Sequence, residues 1–221
     1  MNNIKAIVVH SGGMDSSICL KLAINRFGAE NVLALGFDYD QRHLSELEAS
    51  KFICKSWGIK QTILSLPFMK KITHNSLTDH NLEISSSDKT PNSLVVGRNG
   101  LMARIASIHA DSLGAQCIYL GVIEVEEANS GYRDCNRDYF DKLQEILRID
   151  FDNTQFEILS PIIKMTKAET MELADSLGVL DFLITHTITC YEGVKHPGCG
   201  TCPSCLLRNE GIEKFRKKKG D

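Results

Sequence analysis

The stretch Ile4-Lys5-Ala6-Ile7-Val8-Val9-His10-Ser11-Gly12-Gly13-Met14-Asp15-Ser16-Ser17 decides how this chain is read. An apolar run of strand character ends at two glycines, which let the backbone turn tightly and approach a ligand. Small hydroxyl residues then open a helix whose unpaired amides suit a polyphosphate. Ser16 or Ser17 is expected to cap that helix, and Ile18, Leu20, Leu22, Ala23 and Ile24 give it an apolar face before Gly28 ends the pattern. No lysine follows the second glycine, so this is not the Gly-x-x-x-x-Gly-Lys-Ser/Thr loop. The acidic residue instead points to a Mg²⁺ that Asp15 helps hold and that bridges ATP oxygens, because carboxylate and phosphate would otherwise repel. The plain alternative is a strand-turn-helix connection with a serine cap.

Working outward, strand patterns at Ile4–Val9, Val32–Phe37, Gln61–Leu66 and Cys117–Gly121 alternate with helical ones at Ser16–Phe27, Ser45–Trp57 and Asn99–Leu113. Such alternation gives an α/β fold, a Rossmann-like parallel sheet with helices on both faces. Ligands in these folds bind at the carboxyl ends of strands, where strand order reverses. The strand ends here are polar: Asp38-Tyr39-Asp40-Gln41-Arg42-His43 after the second, Glu124 and Ser130-Gly131-Tyr132-Arg133-Asp134-Cys135 after the Cys117 strand, and Gly97-Arg98-Asn99 before a helix. The irregular segment Leu66–Val96 is long for a compact domain and reads as a flap over the pocket. Thr166 and Glu169 have capping-box spacing, with Lys167 between them either touching phosphate or lying exposed in a first helical turn.

A length of 221 residues suits one substantial core, with residues 1–185 as the main domain and 186–221 as an appendage. With 43% hydrophobic and 24% charged residues the composition is that of a soluble globular protein. No membrane span and no signal peptide are read, and a cytoplasmic address is expected. A formal charge of −3 argues against a broad basic surface for nucleic acid, and Lys217-Lys218-Lys219 reads as a solvated helix end. Cys19, Cys54 and Cys117 sit singly in apolar segments as buried thiols. Cys190, Cys199, Cys202 and Cys205 cluster, with Gly198 and Gly200 beside them, and offer four thiolates to a structural Zn²⁺; an iron–sulfur cluster is the competing occupant. The expected result is a small zinc-bound helical segment, closed by a helix at Ser204–Lys219.

Ser-Gly-Gly-Met-Asp-Ser resembles the signature of the N-type ATP pyrophosphatases, which split ATP between its α and β phosphates. Together with the cysteine cluster, Gly97-Arg98-Asn99, Ser130 to Cys135 and Lys167-Ala168-Glu169-Thr170, the chain resembles the 7-cyano-7-deazaguanine synthase family of the queuosine pathway. That resemblance implies an adenine nucleotide alpha hydrolase-like fold, a homodimer, and three participants: ATP, 7-carboxy-7-deazaguanine and ammonia. It implies adenylation of the carboxylate, displacement of AMP by ammonia to give an amide, and a second activation that yields the nitrile. It assigns Ser11, Gly12, Gly13, Met14, Asp15, Ser16 and Ser17 to ATP and Mg²⁺. Tyr39, Gln41, Arg42, Arg98, Asn99, Glu124, Tyr132 and Asp134 fall to substrate, with Asp15, Arg98, Asp134 and Lys167 as the catalytic set.

Departures concentrate in Gly121–Asn136, which is two residues longer than the family's stretch and carries Glu124, Glu126 and Glu127. His10 stands where the family has Phe, and Thr166 where it has Asp. A related enzyme of anti-phage operons, joining the activated deazaguanine to an amine of a partner protein, therefore stands as the second reading. A zinc-dependent nucleic-acid or protein binder with a relic ATP site, and a tRNA thiolase, are further alternatives.

Overall fold

The computed structural model describes residues 4–39, 44–73, 95–124 and 132–220. Strand β1 (Ala6–Val9) lies at the centre of a five-stranded, wholly parallel sheet. Its neighbours are β2 (Val32–Asp38) and β4 (Cys117–Leu120), with β3 (Lys60–Ser65) and β5 (Glu157–Leu159) at the edges, in the order β3-β2-β1-β4-β5. Ala6 pairs with Val32 on one side and Cys117 on the other, so both ladder edges of β1 are used. A strand with no free edge and no solvated face must be apolar throughout, and Ala6, Ile7 and Val8 are fully buried. β5 escaped the sequence reading because it has three residues and only Ile158 is fully buried, too short a run to show a period.

The helices are α1 (Met14–Phe27), α2 (Ser45–Ser56), a single turn α3 (Met69–Ile72), α4 (Arg98–Ser112), α5 (Arg137–Asp150), α6 (Lys167–Ser176), α7 (Leu180–His186) and α8 (Pro203–Lys219). Side-chain alternation along β1 distributes them. Ala6 and Val8 face a core built with Ile18 and Leu20 of α1, Met171 of α6, Leu183 of α7 and Phe215 of α8. Ile7 faces the opposite core with Ala103 and Ala106 of α4 and Phe140 and Leu147 of α5. Each such large apolar side chain contributes about 1.5–3 kcal/mol when fully buried. Helices thus cover both faces, as the alternating pattern predicts.

α1 begins at Met14, so neither Ser16 nor Ser17 is its cap; Gly13 occupies that position with no side-chain hydrogen bond. Both serines lie in the first turn and donate their hydroxyls back to the Gly13 carbonyl, at 3.1 and 2.8 Å. The physical consequence matters more than the boundary. A glycine cap leaves the first amides of the helix without an intramolecular acceptor, which is what an anion site requires.

Thr166 does form the capping box of α6, accepting from the Glu169 amide while Glu169 accepts from the Thr166 amide at 2.7 Å. The basic end of α8 is exposed yet paired, Lys218 with Glu172 and Lys219 with Asp175, across to α6. Cys19, Cys54 and Cys117 are buried. Among the described residues no helix is long and apolar enough to cross a membrane. Most of the expected flap, residues 74–94, lies outside the described residues, as do Asp40, Gln41, Arg42, His43 and the acidic stretch 125–131.

Candidate active site

Strand order reverses between β1 and β4, and the loops leaving these two strands meet there. Gly121, just after β4, has no room for a side chain: an added Cβ would lie 2.5 Å from the Ser16 amide nitrogen. Gly12 is tighter still, with φ of +89° and an added Cβ 2.2 Å from the Glu46 carbonyl oxygen. These two glycines let the loop press against α2 on one side and the β4 exit on the other. The Gly12 carbonyl accepts from the Ile188 amide at 3.1 Å, which ties the loop to the segment after α7. Ser11 and Ser16 meet through their hydroxyls at 3.2 Å.

His10, at the strand end, is buried under this loop with Nδ1 2.7 Å from Ser50 Oγ and Nε2 3.0 Å from Ser17 Oγ. Burial lowers its pKa to about 3, so the ring is neutral and works as a spacer between α1 and α2. It packs rather than reacts.

A cavity of about 360 Å³ opens over the loop, within the range of ligand sites. Ser11, Gly13, Met14, Asp15 and Ser16 form one wall, while Gly12 and Ser17 support it from behind. Lys167, the first residue of α6, reaches Asp15 Oδ2 in a largely buried ion pair, so it is not an exposed first-turn residue. Asp15 Oδ1 is buried with no hydrogen-bond partner among the described residues. An unsatisfied carboxylate oxygen beside the uncapped start of α1 fits a hard cation such as Mg²⁺, which is commonly bound by one or two carboxylates plus phosphate oxygens.

Tyr39, Arg98, Asn99 and Tyr132 form the other wall. Arg98 donates to the Tyr39 hydroxyl at 3.3 Å, with its guanidinium carbon 5.8 Å from the Tyr39 ring centroid. Asp134 is buried at the start of α4 and accepts from the Asn99 amide at 2.8 Å and from Asn99 Nδ2 at 3.2 Å. Gly97 gives α4 no side-chain cap, so a carboxylate from a distant segment replaces it and fixes Asn99. Glu124 is differently engaged: it accepts from the Arg137 amide at 2.7 Å and pairs with Lys164, outside the cavity lining.

Glu46 on α2, and Ser204 and Arg208 on α8, are polar lining residues that escaped the sequence reading. Burial raises the Glu46 carboxyl to about 7, against the opposing pull of Arg98. Nothing in a single amphipathic helix pattern marks a Glu as inward-facing in this way. Cys135 also lines the cavity and accepts from Asn99 Nδ2 at 3.1 Å; burial pushes its thiol up to about 12, so it is a protonated neighbour and not a thiolate nucleophile.

Cys190, Cys199, Cys202 and Cys205 converge with all sulfurs within 4.8 Å of one another. A tetrahedral zinc with bonds of about 2.3 Å needs sulfur separations of about 3.8 Å, so the group fits a closed four-thiolate site with a small contraction. The Cys202 amide donates to Cys199 Sγ at 3.3 Å and the Thr201 hydroxyl at 3.4 Å, which favours the thiolate form of Cys199.

The profile described as queuosine biosynthesis protein QueC matches residues 5–216, nearly the entire chain. The chain belongs to the QueC family. Membership makes it an ATP-using enzyme of ligase type, and the loop, the cavity and the cysteine group are this family member's candidate site. Two of the solved structures similar to it illustrate the likeness. One is the U34-tRNA thiolase NcsA from Methanococcus maripaludis with its 4Fe–4S cluster, at 14% identity and a TM-score of 0.48, over 99% of this chain and 68% of that one. The other is an NH3-dependent NAD synthetase from Campylobacter jejuni in complex with nitrate, at 16% identity and a TM-score of 0.46, over 81% and 66%. The QueC family member thus spans about two thirds of the length of each.

Proposed function

We propose that this QueC family member adenylates the carboxylate of 7-carboxy-7-deazaguanine and passes the acyl group to ammonia, releasing AMP and forming the amide; a second ATP then adenylates the amide oxygen, which leaves with AMP as the nitrogen gives up its protons, yielding 7-cyano-7-deazaguanine. The observation that carries this reading is the unpartnered Asp15 Oδ1 at the phosphate loop, beside Lys167 and in one cavity with Arg98. A carboxylate is a poor electrophile, and transfer of AMP turns one of its oxygens into a leaving group. The substrate oxygen attacks the α phosphorus as the bond to the β-phosphate oxygen breaks. Pyrophosphate departs with the electron pair.

Amides at the start of α1 and the Lys167 ammonium offset the charge that builds on the phosphates. A Mg²⁺ held by Asp15 would neutralise further charge on the same oxygens. Arg98, stiffened by Tyr39, suits the carboxylate, because its planar fork matches two oxygens at once. Asp134 acts through Asn99 as a positioning residue, and Tyr39 and Tyr132 offer aromatic faces to a flat heterocycle. The four cysteines would hold Zn²⁺ in residues 186–221, stapled onto the main domain 1–185, and a homodimer is proposed with them.

A second reading keeps the adenylation and changes the acceptor to an amine of a partner protein. The lengthened, acidic Gly121–Asn136 stretch favours it, since its first three residues, Gly121 to Ile123, line the cavity. Mass spectrometry of a reaction containing ATP, Mg²⁺, 7-carboxy-7-deazaguanine and ammonia separates the two. Free nitrile with AMP and pyrophosphate is the expected result. Carboxylate-dependent ATP–pyrophosphate exchange without any free product would transfer support to the protein acceptor, and absence of exchange would overturn the adenylation reading itself.

A further inference from the structure

The cysteine group and the cavity are joined by one side chain. Arg208 projects from α8, is 1% exposed and lines the cavity. Its Nη2 donates to the Pro197 carbonyl at 2.5 Å, and Nη2 and Nε share Asn209 Oδ1 at 3.3 Å. Its Nη1 is buried and has no acceptor among the described residues. A guanidinium stays charged in any protein, and leaving one of its donors unpaired away from water is costly. The missing acceptor is therefore expected to arrive with a ligand, and it must be an anion to match the charge.

The position of α8 chooses which anion. Gly211, one turn beyond Arg208, packs on Lys167, where an added Cβ would lie 2.7 Å from the lysine Cβ. Lys167 in turn reaches Asp15 on the phosphate loop. Arg208 therefore belongs to the helix face that abuts the loop's cation partner, whereas Arg98 is held against Tyr39. We infer that Arg208 donates a guanidinium N–H to the pyrophosphate portion of bound ATP, and that the metal-bound cysteine loop holds it there.

The second half follows from the turn at Gly198, which has φ of +83°. An added Cβ at Gly198 would lie 2.4 Å from Cys205 Sγ and 3.3 Å from Arg208 Nη2. The same turn that closes the thiolate group therefore fixes the guanidinium, and the carbonyl Arg208 bonds to lies two residues before Cys199. On this inference the metal does more than fasten a terminal segment: it organises one wall of the nucleotide site. The inference rests on the adenylation reading and deepens it.

Calorimetric titration of Mg²⁺–pyrophosphate into the zinc-loaded full chain tests it. Arg208→Gln should bind about 10- to 100-fold more weakly than the unaltered protein, and Asn209→Ala, which leaves the helix intact, about two- to tenfold more weakly. Binding of 7-carboxy-7-deazaguanine should be unchanged in both. Should Arg208→Gln fail to fold, Asn209→Ala decides alone. Equal pyrophosphate affinity in a folded, zinc-loaded Arg208→Gln or in Asn209→Ala would overturn the inference, as would a loss confined to the deazapurine. If the unaltered protein bound no pyrophosphate, the adenylation reading would fall and take the inference with it. In the cobalt-substituted protein, pyrophosphate should shift the thiolate–cobalt absorption bands, and not do so in Arg208→Gln; unshifted bands in the unaltered protein would overturn the coupling.

Discussion

The two walls of the cavity are built in opposite ways. The loop wall comes from seven consecutive residues, Ser11 to Ser17, whose conformation is forced by Gly12 and by a helix start that lacks a side-chain cap. The far wall gathers Tyr39 after β2, Arg98 and Asn99 at the start of α4, Tyr132, and Ser204 and Arg208 on α8. Backbone amides do the work on the first wall and side chains on the second. A wall made of backbone depends on close approach, so it is destroyed by adding one atom. A wall made of side chains depends on remote supports, so it is loosened by changes far from the ligand.

Removing the metal should break the far wall while sparing the first. Zinc-binding free energy is folding free energy for the segment it closes, on the order of 10 kcal/mol in small zinc modules. Chelation should therefore release α8 and expose its junction with α6 to protease, while the far-ultraviolet signal of the sheet persists. Complete unfolding would show that the two walls are not separable.

Gly12→Ala should do the reverse. Positive φ and a clash with the Glu46 carbonyl together cost about 3–5 kcal/mol, read as a lower urea midpoint, and ATP affinity should fall with zinc content unchanged. Retained ATP binding would mean that the loop can give way without loss of the site.

Glu46 touches both walls, since its backbone receives Gly12 and its side chain lines the cavity with Arg98. Its folded pKa of about 7 lies above the ordinary 4.5. Between these values the folded protein keeps a proton that the unfolded chain has lost, so stability falls as pH rises through that window and is level above it. Glu46→Gln has no such proton to lose. Its advantage over the unaltered protein should be near zero at the acid end and reach about 1–3 kcal/mol by pH 8 in thermal melts. A difference independent of pH would show that Arg98 keeps the carboxylate ionised.

The smallest effect is expected at the capping box. Thr166→Ala should cost about 1 kcal/mol of stability and raise the KM for ATP slightly, because Lys167 is the residue this cap delivers to Asp15. An unchanged KM would show that the Lys167 ion pair positions itself without the cap.

Features that depend on neighbours along the chain were legible in the amino-acid order. The β1–loop–α1 unit, the Thr166–Glu169 box and the convergence of the four cysteines are each set by one continuous stretch of chain, and each was readable there. The start of α1 was misplaced by two residues because serine propensity at a cap is a weak prior, and the close fit of the loop against α2 and the Gly121 exit overrode it. β5 was missed because its three residues hold no period.

By itself, then, the sequence determined a glycine-serine loop on a parallel sheet, a group of four cysteines that fits a metal, and the resemblance to a family. Tertiary structure decided that Lys167 meets Asp15, that Asp134 supports Asn99 in place of a local cap, and that Glu46 and Arg208 face the cavity. The reason is physical: a backbone conformation is written by adjacent residues, whereas the partner and burial of a charged side chain depend on segments that only folding brings together.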